Sequence, residues 1–159
     1  MQRYSIIVFL TFIPVVSTQN NEANPNSADT FYMSTLSFNH LALSVKNVDA
    51  SIEFYQRVLH LQEIENTASN SRTRWLSLGA GQQLHLIYRP EEEIIVTQSV
   101  HFALATDDID SVIEHLVDLG IEYFDWSSTP NKIEVRSDGF QQIYFQDPDG
   151  YWIEINNVV

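Results

Sequence analysis

No cysteine occurs among the 159 residues. Disulfide frameworks, thiolate metal centres and cysteine nucleophiles are excluded together. Any metal ion has to be held by His, Asp or Glu. Basic residues are scarce too, 8 Lys and Arg against 21 Asp and Glu, which gives a formal net charge of −13. Such a chain repels phosphate backbones and anionic lipid surfaces, which argues against nucleic-acid and membrane-surface partners. A long apolar run is also missing. The longest, Ile6 to Ile13, falls well short of the roughly 20 residues of a membrane span. It follows the basic Arg3 and precedes the small residues Val15, Val16, Ser17 and Thr18. That order predicts a secretory signal peptide over residues 1–18, and so an exported, periplasmic or secreted product with no span in its mature form.

What is present is a globular composition, 44% hydrophobic and 12% aromatic, enough for one domain of ordinary size or two small modules sharing a core. Residues 19–35 are polar and rich in Asn, which predicts a linker. The folded domain is expected over 36–159, with one module at 36–90 and a second at 97–157.

The two modules follow from an internal repeat. The segment from His40 to Glu53 matches that from His101 to Glu114 at an offset of 61. Each reads as a strand leading through Asp49 or Asp110, a candidate N-cap, into an amphipathic helix. The first helix should bury Ile52, Tyr55, Val58 and Leu59, and the second Ile113, Leu116, Val117 and Leu119. Gly120 should end the second helix in a left-handed cap. The later halves match at an offset of 69, with the Gly79-Ala80-Gly81 and Asp147-Pro148-Asp149-Gly150 turns each joining two strands. Each copy is thus β-α-β-β-β, with an irregular strand near Leu61–Asn66 or Ile121–Trp126, an α+β arrangement too small to bury its apolar face alone.

Strand alternation then sorts the side chains. Across the stretches 38–45 and 99–105, Leu41, Leu43, Val45, Val100, Phe102 and Leu104 take the helix-packing face. His40 and His101 point the other way, with Ala42 and Ala103 leaving space beside them. His85 lies between Leu84 and Leu86, and Glu154 between Ile153 and Ile155. Four donors, His40, His85, His101 and Glu154, therefore line a polar floor where two modules pack, side by side or between chains. Three imidazoles and a carboxylate suit one divalent metal ion such as Zn, Ni, Mn, Fe or Co. The alternative is a hydrogen-bonded floor without metal. The imidazoles must be neutral to bind, so occupancy should fall below about pH 6.

With these residues in place, the chain resembles the vicinal oxygen chelate superfamily, which spans glyoxalase I, fosfomycin resistance proteins, extradiol dioxygenases and bleomycin resistance proteins. The resemblance rests on Asn39-His40-Leu-Ala-Leu-Ser-Val, Ser51-Ile-Glu-Phe-Tyr55, Val58-Leu59, Val100-His101-Phe-Ala-Leu and Phe145-Gln-Asp147-Pro-Asp-Gly150-Tyr-Trp-Ile-Glu154. It implies paired βαβββ modules forming a half-barrel sheet round a metal, with helices on the outer face, and a homodimer, the site drawing its ligands from one chain or from both. The family's metal positions fall on His40, His85, His101 and Glu154. His60 stands where a glycine is usual after the first helix, and a left-handed His there is structural.

A glyoxalase I-type lyase or isomerase is the activity the resemblance favours: the metal stabilises an enediolate or oxyanion of a small-molecule substrate, and Glu154 moves the proton. His85 stands where glyoxalase I usually has Glu, which leaves one carboxylate. The alternatives are an Fe(II) ring-cleaving dioxygenase built on a two-His, one-carboxylate set, and a metal-free binding protein of the resistance type. A fosfomycin-type reading ranks lower, because the available cations are few and scattered. Arg74 and Gln142, on neighbouring strands, are candidate substrate contacts. Trp75, Phe124, Trp126 and Tyr144 are read as core or pocket wall.

Overall fold

Two stretches of alternating apolar residues, each followed by a helix with an apolar stripe, repeat along the chain, and the architecture repeats with them. The computed structural model describes residues 36–68 and 70–158. The signal peptide and the linker expected before them lie outside the described residues. The elements are β1 (His40–Val45), α1 (Val48–Leu59), β2 (Gln62–Ile64), β3 (Arg74–Gly79), β4 (Gln82–Tyr88), β5 (His101–Ala105), α2 (Ile109–Asp118), β6 (Glu134–Val135), β7 (Gln141–Gln146) and β8 (Trp152–Asn156). They form two four-stranded sheets of the same plan, ordered β1-β4-β3-β2 and β5-β8-β7-β6. In each, the first strand runs parallel to the fourth and the rest are antiparallel. The α+β class and the doubled βαβββ order are those the repeat predicts.

The first strands begin at His40 and His101, two residues later than alternation alone suggests. Their ladders start there, with His40 opposite Gln83 and His101 opposite Trp152. The helix N-caps also differ from expectation. Asn47 and Asp108, not Asp49 and Asp110, close the two helices. The Asn47 Oδ1 accepts from the Ala50 amide at 3.2 Å and the Asp108 Oδ1 from the Ser111 amide at 3.0 Å. Both caps have extended φ, −134° and −136°, as a cap requires. Asp49 and Asp110 fall instead in the first turn, where a carboxylate meets the positive end of the helix dipole. His60 ends α1 at φ 53° and Gly120 follows α2 at φ 69°, both left-handed as expected.

The core is made by the helix-facing halves of the strands. Leu43, Val45, Leu76, Leu84 and Leu86 meet Ile52, Tyr55 and Val58 of α1, and Ile143, Phe145, Ile153 and Ile155 join the same cluster from the second module. Leu59 is only partly buried. Val117 is 58% exposed, contrary to expectation. The inward line of α2 runs through Ile109, Val112, Ile113, Leu116 and Leu119, and Val117 lies about 100° round the helix from Leu116. The irregular strand expected at Ile121–Trp126 is reduced to isolated bridges from Phe124 to Pro130 and Tyr144, and the short edge strand β6 comes later in the chain.

The modules are tied together through α1. The Tyr55 hydroxyl, fully buried, donates to the Asp147 Oδ2 at 2.8 Å. The other Asp147 oxygen accepts the amides of Asp149 and Tyr151 at 3.0 and 2.9 Å, which shapes the Asp-Pro-Asp-Gly turn. Gly150 sits there at φ 89°, a conformation that glycine adopts without a Cβ penalty. Asp149 takes the Lys46 amide at 3.1 Å and the Ser51 hydroxyl at 3.3 Å. The turn of the second module thus grips the start of the first module's helix. Burial pushes the Asp147 carboxyl above its ordinary value, against the hydrogen bonds that pull it down.

Replacing Tyr55 by Phe leaves a buried carboxylate oxygen without its donor, and should cost about 1–3 kcal/mol in urea unfolding. The raised carboxyl also sets a pH trend. Its ionised form is disfavoured in the folded chain, so this penalty is absent below the unfolded value, grows as pH rises from there towards the folded one and is constant above it. Asp147→Asn should therefore gain stability relative to the unsubstituted chain as pH rises above about 4, measured by paired denaturation curves.

Candidate functional site

The faces turned away from the helices carry the candidate donors. On the first sheet, His85 of β4 is registered with Ala42 of β1 and Trp75 of β3. His40 shares that face. The His40 and His85 rings stack at 4.2 Å with planes 12° apart, and Trp75 stacks on His85 at 4.2 Å and 4°. Burial holds His85 below the usual imidazole value, with repulsion from His40 a second cause. It is therefore neutral at pH 7, as a ligand must be.

On the second sheet, Glu154 of β8 is registered with Ala103 of β5 and Tyr144 of β7. The His101 Nε2 stands 3.1 Å from the Glu154 Oε2. The Asn156 amide donates to the Glu154 Oε1 at 2.7 Å. Burial raises the Tyr144 phenol well above its ordinary value, and its hydrogen bond to Glu154 adds to this. The phenol stays protonated and donates to the carboxylate. The His101 and Tyr144 rings meet edge to face at 5.3 Å.

Each of the three imidazoles has one ring nitrogen against an oxygen acceptor at 2.7 Å: the His40 Nδ1 on the Asn39 Oδ1, the His85 Nε2 on the Gln83 Oε1, and the His101 Nδ1 on the Gln98 carbonyl. The N–H must point at that acceptor. The lone pair is left on the Nε2 of His40 and His101 and on the Nδ1 of His85, the arrangement by which proteins aim imidazoles at a metal. At His101 the free lone pair faces a carboxylate oxygen. Two acceptors at that distance attract only with a cation or an added proton between them. The donor chemistry thus fits a borderline divalent cation. Within one chain, however, the four donors form two pairs, one per sheet, because β1 and β5 head separate sheets. Among the described residues, no group of three or more His, Asp or Glu side chains is placed to share one ion.

A family model, the Glyoxalase/Bleomycin resistance protein/Dioxygenase superfamily, matches residues 37–155. The chain belongs to that superfamily. It is similar to Glyoxylase I 4 of Arabidopsis thaliana, 32% identical across 76% of this chain and 70% of that protein. It is also similar to the Metallothiol transferase FosB of Shouchella clausii, 26% identical across 74% of this chain and 77% of that one. Among solved structures, a Lactoylglutathione lyase from Agrobacterium tumefaciens shares the fold at a TM-score of 0.59 and 19% identity, covering 77% of this chain and 93% of that one. Membership explains the doubled module and leaves the reaction open, because superfamily members run different chemistries on one scaffold.

Of the two candidate substrate contacts, Gln142 lies on the site face, opposite Asn156 and beside Tyr144, and is nearly buried. Arg74 does not lie on that face. It is registered with the core residue Leu86 and so points to the helix side, where it forks onto both Glu63 carboxylate oxygens at 2.6 Å and reaches Asp49 at 2.5 Å. Its place one residue from Trp75 turns it to the opposite face. Sequence reasoning does not single out Asn156, Gln83 or Gln98. The first two stand two residues from Glu154 and His85, a spacing that already puts them on the ligand face.

Arg74→Ala should lower stability by no more than about 1 kcal/mol, as expected for a half-exposed ion pair. It should leave metal and ligand binding unchanged, as read by calorimetric titration.

Proposed function

We propose that this chain is a divalent-metal-dependent enzyme of the glyoxalase type, moving a proton on a small oxygenated substrate while negative charge develops on its adjacent oxygens. His40, His85, His101 and Glu154 are the proposed ligands. The observation that carries the reading is the His101–Glu154 contact, with the ring's other nitrogen committed to Gln98. Each pair supplies two donors, so a second copy of the chain in a homodimer is proposed to bring the complementary pair. The apolar segment behind Arg3 supports export as the setting.

A bound divalent cation would supply Lewis acidity toward the substrate's oxygens. The chain's own residues supply the rest. Asn156 holds the Glu154 Oε1 and the Oε2 faces His101, and this carboxylate is the proposed group that takes and returns the proton. Tyr144 and Asn156 fix the carboxylate's plane, and the Gln98 carbonyl fixes the His101 ring. Trp75 closes one side of His85 to water by stacking. A ring-cleaving dioxygenase is the second reading, favoured by the predominance of imidazole over carboxylate in the donor set.

Elemental analysis of protein purified without chelator separates the two readings: Ni, Zn or Mn supports proton transfer, and Fe supports oxygen chemistry. His101→Ala should abolish both bound metal and hemithioacetal turnover, and metal retained in that variant refutes the site. Gln98 acts through its backbone, so its side chain is not the handle for a ligand test. A shared site has its own signature. A refolded mixture of His85→Ala and His101→Ala chains should regain about a quarter of the unsubstituted metal content, because half the dimers are mixed and each mixed dimer rebuilds one of two sites.

A further inference from the structure

The two modules are not equal in length. The repeat offset grows from 61 through the first strands and helices to 69 in the later strands, so the second module carries eight more residues. The pairing of Phe124 with Tyr144 corresponds to that of Ile64 with Trp75, which puts the additional length between Phe124 and Tyr144. A bridge from Phe124 to Pro130 closes the first part of this excursion into a small loop.

The loop is braced from inside. The Asp125 carboxylate, wholly buried, accepts the Thr129 amide and the Lys132 ammonium, each at 2.7 Å. The Lys132 hydrogen bond, more than any other contact, holds the Asp125 carboxyl below its usual range. The Gln98 side chain donates to the Asp125 carbonyl at 2.9 Å and accepts from the Ser128 hydroxyl at 3.0 Å. The backbone carbonyl of the same Gln98 holds the His101 ring. Loop and candidate ligand are thus fastened to one residue.

This bracing presents an indole. Trp126 is 49% exposed, an unusual state for so large an apolar group. It lies 5.7 Å from the Tyr144 ring and 6.3 Å from the His101 ring. The two cations on this stretch, Lys132 and Arg136, are paired with Asp125 and Asp138. The wall beside Glu154 is therefore aromatic, and the chain as a whole is acidic.

We propose that Trp126 is a specificity-determining residue, stacking on the flat, uncharged carbon body of a substrate whose vicinal oxygens lie at the His101–Glu154 end of the site. This rests on the metal-site reading above. Such a wall favours a conjugated or aromatic body over a phosphorylated or multiply charged one, because stacking needs a π face and both cations of this described stretch are already paired.

The test uses the zinc-loaded full chain and two probes with adjacent oxygens, planar 4-nitrocatechol and non-aromatic acetohydroxamate. Binding of the first is read by its absorbance shift and of the second by competition. Trp126→Ala should weaken 4-nitrocatechol about three- to tenfold, the worth of one aromatic stacking contact. It should leave acetohydroxamate affinity and zinc content unchanged, and Trp126→Phe should keep most of the discrimination. Unchanged affinity for both probes, or equal loss of both, overturns the role of Trp126 while leaving the metal site standing. An unsubstituted chain that binds neither probe in a zinc-dependent way overturns the metal-site reading and this inference with it.

Discussion

The two-residue period of the β-strand is the constraint on which everything else depends. It sends Leu41, Leu43 and Val45 into the core and leaves His40 on the other side, and it does the same for Ile153 and Ile155 around Glu154. A one-residue slip in either parallel ladder would place an imidazole or a carboxylate among buried leucines, at a desolvation cost that no new packing there could offset. The register that holds the core is thus the register that holds the candidate ligands. Selection for packing and selection for chemistry act on the same ladder.

The second constraint lies on the other side of the sheets. Each module alone has one small helix and one sheet, and α2 buries little of its own length. The chain meets this by making α1 a shared element, packed on its own sheet and gripped by the Asp147–Gly150 turn of the other module. The buried Tyr55–Asp147 bond is directional where apolar packing is not. It fixes the angle at which α1 meets the second sheet, in exchange for keeping a carboxyl in a place that disfavours its charge.

Doubled βαβββ order, strand faces and the left-handed His60 are legible in the chain because each follows from local rules: a period, a turn residue, a repeat. The helix caps lie two residues before the expected ones because Asn47 and Asp49, like Asp108 and Asp110, are both good capping types. Only the backbone angle before the first turn decides between them. Proximity in sequence places Arg74 near the site, but it ignores the face on which a strand residue emerges. The division of the four donors into two pairs is not readable at all. It depends on how two complete modules sit, and no local pattern encodes that. Val117 differs for a simpler reason, since the apolar stripe of α2 is narrower than its apolar content.

The differences between the modules follow a physical rule. Position for position, His85 corresponds to Glu154, Trp75 to Tyr144 and Ile87 to Asn156. Where the repeat holds an imidazole, the same slots hold an indole, which stacks on it, and an aliphatic chain, and neither donates a hydrogen bond to it. Where the repeat holds a carboxylate, the same slots hold a phenol and an amide, and both donate to it. A neutral ring tolerates an apolar surround and is kept neutral by it. An ionised carboxylate in that surround would be pushed toward protonation and lose its value as ligand or base. Exchange of His85 for Glu alone would therefore set a carboxylate against Trp75 and Ile87 with no donor beyond Gln83. The exchange is chemically sensible only with its two neighbours. The unit that distinguishes the halves of this site is thus a trio of side chains, not a single ligand.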